Sequence, residues 1–287
     1  MRLGVVGMLP DDFRTYTPAQ LEAITVLGFT GFGCHLDSAL AFEITAADCA
    51  VFAALCNAAG LDLAQFSLSY GECLFAPDQA VRTAVTAKIE RGIALARQLR
   101  AQTLLIRPGS LNPTGPWTPH RDNYLPASMD RLIATLRSIA ARAEAEGVLI
   151  VIETHAISIL DSPETCNALV AAIGSPSMRV VMDPVNHFQS LRQVYAAHER
   201  LKHIFDLMGT FAPIAHIKDI AVRDDLVLHL DEVAPGEGEL DLALLLRRFD
   251  RLYPEGYGLL EHLPAEKIPA ANAHVRRVAA ECGIAIH

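Results

Sequence analysis

The sequence has little positive charge and few aromatic residues. Its 287 residues include 24 Lys and Arg against 33 Asp and Glu, which gives a formal net charge of −9, and aromatic residues make up 6%. Contacts to phosphate backbones and anionic headgroups need clustered Lys and Arg. No apolar run approaches the roughly 20 residues of a membrane-spanning helix. The sequence therefore predicts neither a nucleic acid nor a membrane as a partner.

Cysteine pairs and nucleotide-binding motifs are also missing. The six cysteines include no C-x-x-C pair, and Cys49 and Cys56 fall on a helical pattern that indicates core packing. Unpaired cysteines are typical of a reducing compartment, so we expect a cytoplasmic protein. The turn after the first predicted strand lacks G-x-G-x-x-G, which removes support for dinucleotide binding.

Short apolar runs alternate with helical segments along the whole chain. Eight such βα units without a linker predict one closed barrel, an α/β fold of the (β/α)8 TIM class, in a single domain over residues 1–287. An open doubly wound sheet is the alternative. The predicted strands are Leu3–Met8, Thr30–His35, Asp62–Ser69, Thr103–Arg107, Val148–Glu153, Arg179–Asp183, Ile214–Lys218 and Tyr257–Glu261.

Two loops are longer than a barrel requires. One follows the fourth predicted strand from Pro108 to Tyr124, and the other follows the seventh from Asp219 to about Glu239. Both come after strand carboxyl ends, so we expect them to overhang the catalytic face as lids or binding loops. Surface insertions without a role are the alternative.

Four side chains able to bind a metal end the last four predicted strands. They are Glu153, Asp183, His216 and Glu261. Taken singly, each is more often a solvated acid or a core histidine. Active sites of β/α barrels are built from strand carboxyl ends, however, so these four side chains should meet. A set of oxygen ligands with one nitrogen suits Mn²⁺, Mg²⁺ or Co²⁺.

Five motifs carry a resemblance to a known family. I-E-T-H, M-D-P-V-N-H, H-I-K-D, P-G-E-G-E-L-D and L-L-E-H resemble the xylose-isomerase-like TIM-barrel superfamily, in its sugar phosphate isomerase/epimerase group and near the ketose 3-epimerases. The resemblance implies that Glu153, Asp183, His216 and Glu261 bind one divalent ion, with Mn²⁺ the first expectation. It also implies that Glu153 and Glu261 form an acid–base pair, and that the protein forms a homo-oligomer, a dimer or tetramer.

The sequence departs from the epimerase pattern at two substrate contacts. The family places a His three residues after the Asp ligand, where this chain has Asn186, with His187 one residue later. The family also has an Arg about six residues after the His ligand, and the nearest here is Arg223 at seven. Asn186, His187 and Arg223 remain candidate substrate contacts, and the departures leave the substrate open.

Further candidates lie at other strand ends and in the fourth loop. Lys218 should face the same way as His216, because side chains alternate along a strand. Arg107 ends the fourth predicted strand and could hold a carboxylate or phosphate through two contacts, with a structural salt bridge as the alternative. The remaining candidates, each with a packing role as its alternative, are His35, Trp117, His120 and His155.

These residues favour a metal-dependent isomerase or epimerase acting on a sugar or sugar acid. Deprotonation beside a carbonyl gives an enediolate that a divalent cation stabilises, and two flanking carboxylates can take and return the proton. A metal-dependent lyase or decarboxylase of a 3-oxo sugar acid is the second hypothesis, because loss of CO₂ gives the same kind of anion. An abasic-site endonuclease would need extra ligands that the third predicted strand lacks. A sugar-binding protein without catalysis is the last alternative.

Overall fold

The computed structural model covers residues 1–287 and consists of ten strands and nine α-helices. The strands are β1 (Arg2–Val5), β2 (Gly31–Asp37), β3 (Asp62–Ser69), β4 (Thr103–Ile106), β5 (Ile150–Ile152), β6 (Met178–Val180), β7 (Ala215–Ile217), β8 (Asp219–Val222), β9 (Leu230–Val233) and β10 (Tyr257–Leu260). The helices are α1 (Pro18–Val26), α2 (Ala46–Ala59), α3 (Gln79–Leu99), α4 (Pro126–Glu146), α5 (Pro163–Ile173), α6 (Leu191–Tyr195), α7 (Ala197–Met208), α8 (Leu242–Leu252) and α9 (Ile268–Glu281).

Eight parallel strands form the barrel. Their order is β6-β5-β4-β3-β2-β1-β10-β7, and a parallel bridge between Met182, two residues after β6, and Ala215 of β7 closes the ring. The backbone amide of His216 donates to the Met182 carbonyl at 3.0 Å across this junction. The predicted (β/α)8 barrel is therefore confirmed. None of the nine helices has the length and apolar character that a membrane span requires.

The helix boundaries follow the capping residues of the sequence. Thr17 accepts a hydrogen bond from the Gln20 amide at the start of α1, and Ser162 caps α5 in the same way. Gly147 ends α4 with φ of 67°, a conformation that glycine adopts at little cost. These caps fix where each helix begins and ends, and so fix the loops that carry the strand-end residues.

Two apolar layers hold the barrel together. A cluster of 72 buried residues lies mainly between the strands and the helices. A separate cluster of eight fills the barrel interior: Val6, Ala64, Leu105, Val151, Val181, Ile214, Tyr257 and Leu259. Leu104 and Ile106 belong to the first cluster and Leu105 to the second, as expected for alternating side chains. A packed interior leaves the strand carboxyl ends as the place for a site.

The segment after β7 is a hairpin, where the sequence predicted only a long loop. β8 and β9 pair antiparallel, with Asp219 opposite Val233. The carboxylate of Asp219 then accepts hydrogen bonds from four backbone amides, those of Ile220, Gly236, Gly238 and Leu240, at 2.8 to 3.0 Å. Gly236 has φ of 95°, so P-G-E-G forms a tight turn around Asp219. This turn fixes the base of the hairpin beside the barrel mouth.

Candidate functional site

The four predicted metal ligands converge at the mouth of the barrel. One ligand atom from each of Glu153, Asp183, His216 and Glu261 lies within 4.8 Å of the other three. Glu153 and Glu261 directly follow β5 and β10, His216 lies within β7, and Asp183 comes three residues after β6. Adjacent parallel strands of one barrel bring these positions to the same face. The structure contains no second cluster of this kind.

Buried polar atoms in the cluster lack the hydrogen bonds that they would normally make. Asp183 Oδ1 has no hydrogen-bond partner, although the side chain is fully buried. His216 Nδ1 lies 2.9 Å from Glu261 Oε1 and 3.6 Å from Asp183 Oδ2, also without a hydrogen bond. Such orphaned atoms are costly in a protein interior unless something satisfies them. The three carboxylates and one imidazole fit a divalent cation of the Mn²⁺, Mg²⁺ or Co²⁺ type.

Two neighbouring residues orient the predicted ligands. His216 Nε2 donates to Gln65 Oε1 at 2.9 Å, which leaves His216 Nδ1 facing the carboxylates. Asn186 donates to Asp183 Oδ2 at 2.8 Å. Gln65 lies in β3, in the barrel interior, and was not among the predicted site residues. Partners of this kind set the tautomer and direction of a metal ligand.

Burial and neighbouring charges give Glu153 and Glu261 different pKa values. Burial, reinforced by the negative charge of Glu261, raises the pKa of Glu153 to about 7. Burial acts in the same direction on Glu261, but His216 and Lys218 lower the pKa of Glu261 well below its usual range. Burial alone would lower the pKa of His216, but Glu261 and Asp183 raise it to about 10. In the absence of a metal ion, Glu153 is the carboxyl that titrates near neutral pH.

A cavity of about 370 Å³ opens above the cluster. Of the four predicted ligands, only Glu153 lines it. The predicted contacts that also line it are His35, Arg107, Trp117, His155 and Asn186. The Trp117 and His155 rings lie 6.0 Å apart at an interplanar angle of 52°. The Trp117 indole, beside polar residues of the cavity lining, is suited to packing against the face of a sugar ring.

Arg107 has no acidic partner in the structure. Its guanidinium donates to the Tyr70 carbonyl and lies 5.1 Å from the centre of the Tyr70 ring. Arg107 Nε is buried without a hydrogen bond. A positive charge that lines a cavity and has no protein counter-ion is suited to an anionic group of a ligand.

Four predicted contacts lie outside the cavity lining: His120, His187, Lys218 and Arg223. His187 is buried, with its Nε2 2.9 Å from Thr154 Oγ1. Arg223 pairs with Asp231 at 2.8 Å on the exposed hairpin. His120 accepts from the Asp122 amide at 3.2 Å and caps a short 3-10 turn. A role for these residues in binding substrate stays a prediction.

Glu232 and His262 line the cavity and were not predicted. Glu232 is in β9, and its Oε1 lies 3.0 Å from His262 Nδ1. His262 follows the predicted ligand Glu261 and has φ of 56°, a left-handed conformation that is uncommon outside glycine. The position of His262 directly after Glu261 was a signal in the sequence that could have identified it as a site residue. Glu232 reaches the cavity through the β8–β9 hairpin, and the sequence pattern did not indicate that hairpin.

Comparisons with known proteins agree with the fold. The model of the xylose isomerase-like TIM barrel family matches residues 21–278. A D-psicose 3-epimerase crystallised with D-fructose superposes with a TM-score of 0.71 at 16% identity, over 98% of each chain. A xylose isomerase-like TIM barrel protein from Mycobacterium smegmatis, in complex with magnesium, gives 0.73 at 15%, over 98% of this chain and 96% of that one.

A probable dehydratase is among the similar structures as well. A probable 3-DHS dehydratase from Bacillus anthracis gives a TM-score of 0.67 at 14% identity, over 97% of this chain and 99% of that one. No curated protein matches the sequence. At these identities, the structural likenesses show the fold and leave the reaction open. With the family match over most of its length, the chain belongs to the xylose isomerase-like TIM barrel family.

Proposed function

We propose that this protein is a divalent-metal-dependent isomerase or epimerase of a sugar or sugar acid. Glu153, Asp183, His216 and Glu261 would hold the ion, and Glu153 and Glu261 would act as the acid–base pair. The observation that carries this proposal is the convergence of four candidate ligand atoms within 4.8 Å, in a cluster whose Glu153 lines a cavity. Similarity to a D-psicose 3-epimerase and to a magnesium-bound relative supports it.

The ion and the carboxylates would have separate tasks. A bound divalent cation supplies positive charge that stabilises the oxygens of an enediolate. Glu153 lines the cavity, so its carboxylate could reach a substrate there and would accept and return the proton. Glu261 belongs to the same cluster, with its Oε1 2.9 Å from His216 Nδ1, and would be the second member of the pair.

The cavity favours a small polar substrate with an acidic group. About 370 Å³ is within the roughly 300–1,000 Å³ range of small-molecule sites. The unpaired Arg107 guanidinium could bind a carboxylate, while Asn186, Glu232 and His262 offer hydrogen-bond partners to hydroxyl groups. We therefore propose a sugar acid as the substrate class within the broader group.

Solvent hydrogen exchange tests the proton transfer. Protein loaded with Mn²⁺ is incubated with candidate ketoses and keto sugar acids in D₂O, and deuterium at the carbon beside the carbonyl is followed by NMR. We expect deuterium exchange with the wild type. In Glu153→Gln and Glu261→Gln the exchange rate should fall by a factor of about 100 or more. Glu266→Gln, at an exposed position outside the site, is the matched control. Normal exchange in both site variants would remove these glutamates from the acid–base role.

A lyase or decarboxylase of a 3-oxo sugar acid is the second candidate. Arg107 could hold the substrate carboxylate in the cavity, a cation at the predicted site would stabilise the enolate that loss of CO₂ leaves, and a probable dehydratase shares the fold. Release of CO₂ from 3-oxo sugar acids by the Mn²⁺-loaded protein, lost in Arg107→Met, would support the lyase. Deuterium incorporation without CO₂ release would support the epimerase.

A further inference from the structure

Lys218 places its ammonium among the predicted metal ligands. Its Nζ lies 2.8 Å from Asp183 Oδ2 and 2.7 Å from Glu261 Oε1, and the side chain is 1% exposed. Both oxygens belong to the carboxylates that would bind the ion. Lys218 does not line the cavity. A positive charge buried at this depth is held by the carboxylates around it.

We propose that Lys218 is the internal counter-ion of the metal-free site and that a divalent cation must displace its ammonium. The inference rests on the metal site of the proposed function. An ammonium within 2.8 Å of these carboxylate oxygens and a divalent cation held by the same two carboxylates would lie close enough to repel each other strongly in a dry environment. The Lys218 ammonium and the divalent cation are therefore alternative occupants of the same cluster of carboxylates.

Glu232 gives the displaced ammonium a second partner. Glu232 Oε2 lies 3.2 Å from Lys218 Nζ, and Glu232 lines the cavity. Its other oxygen is positioned by His262 at 3.0 Å. A small movement of Lys218 toward Glu232 keeps the charge paired while it frees Asp183 and Glu261. Glu232 is thus a positioning residue for Lys218.

This exchange predicts opposite effects of two substitutions on metal affinity. Lys218→Met removes the competitor, so the ion should bind more tightly by roughly tenfold or more. Glu232→Gln removes the second partner of the ammonium, so the ion should bind more weakly. In the double variant the effect of Glu232→Gln should disappear, because no ammonium is left to be moved.

Calorimetric titration of MnCl₂ into the EDTA-treated full chain tests this scheme, with thermal melting of each metal-free variant as a second readout. Lys267→Met, which removes an exposed ion pair with Glu237, is the control and should leave affinity unchanged. Metal-free Lys218→Met should melt below the wild type and recover with Mn²⁺. If Lys218→Met does not fold, Lys218→Gln, which keeps a polar group, is used in its place.

The outcomes separate the inference from the function on which it rests. Tighter binding in the Lys218 variant, weaker binding in Glu232→Gln and no further loss in the double variant support the exchange. Equal or weaker binding in the Lys218 variants would overturn it, as would a loss from Glu232→Gln that persists without Lys218. A wild type that binds no Mn²⁺ would instead overturn the metal site itself.

Discussion

Replacing Glu153 with Gln should make the stability of the metal-free protein less dependent on pH. Glu153 is held in a desolvated site beside Glu261, which raises its pKa from the ordinary 4.5 to about 7. The folded protein therefore binds a proton at Glu153 that the unfolded chain releases between these two pH values. The stability that this proton contributes is fully present below the unfolded pKa and is lost as the pH rises through the folded pKa.

The size of the effect follows from the two pKa values. A pKa of about 7 against 4.5 corresponds to roughly 3 kcal/mol of stability lost by the wild type between about pH 4.5 and pH 8. Gln cannot ionise, so Glu153→Gln should not show this loss. At pH 8 and without metal, the variant should be the more stable protein by about 2–3 kcal/mol. His216, whose pKa is raised to about 10, is present in both proteins, so its contribution to the difference is small.

Urea denaturation of EDTA-treated protein at several pH values between about 4.5 and 8 measures this difference. The free energies of unfolding of wild type and Glu153→Gln should diverge as the pH rises. The exposed Glu266→Gln should follow the wild type throughout. Parallel curves for wild type and Glu153→Gln would refute the claim that Glu153 is a carboxyl with a raised pKa in the folded site.

Three further substitutions test other parts of the site. Gln65→Leu removes the acceptor that orients His216 and should weaken Mn²⁺ binding about 10- to 100-fold in a calorimetric titration; unchanged affinity would contradict this role. Arg107→Met should raise KM for a sugar acid about tenfold or more while leaving KM for the matching neutral sugar unaltered, as measured by initial rates; equal changes would argue against a carboxylate subsite. Asp219→Ala leaves four backbone amides without an acceptor and should destabilise the protein by about 2–4 kcal/mol in urea, whereas a loss below about 1 kcal/mol would mean that the turn holds without it.

The fold and the convergence of the four candidate metal ligands could be predicted because they depend on regular features of the chain. The alternation of apolar runs and capped helices indicates a barrel, and a barrel brings the carboxyl ends of its strands together. Glu153 and Glu261 were predicted as the last residues of their strands and lie one residue beyond β5 and β10. Lys218 faces the same carboxylates as His216, as the alternation of strand side chains predicted.

The remaining site residues depend on geometry that the sequence pattern does not contain. Gln65 reaches His216 across the barrel interior, 151 residues away in sequence. Glu232 reaches the cavity only because the segment after β7 folds back as a hairpin. His187 and Arg223 are near predicted ligands in sequence, but the first is buried beside Thr154 and the second pairs with Asp231 on the exposed hairpin. Proximity in sequence to a ligand did not determine which side chains line the cavity.

Titration of Mn²⁺ into the EDTA-treated protein tests the central claim most directly, because every proposed step needs one cation held by the four strand-end residues. Asp183→Asn, which removes a buried carboxylate from the centre of the cluster, is the informative variant. We predict one bound ion per chain for the wild type and none for Asp183→Asn at the same concentrations. A wild type that binds no divalent ion, or a variant that binds it equally well, would contradict the account.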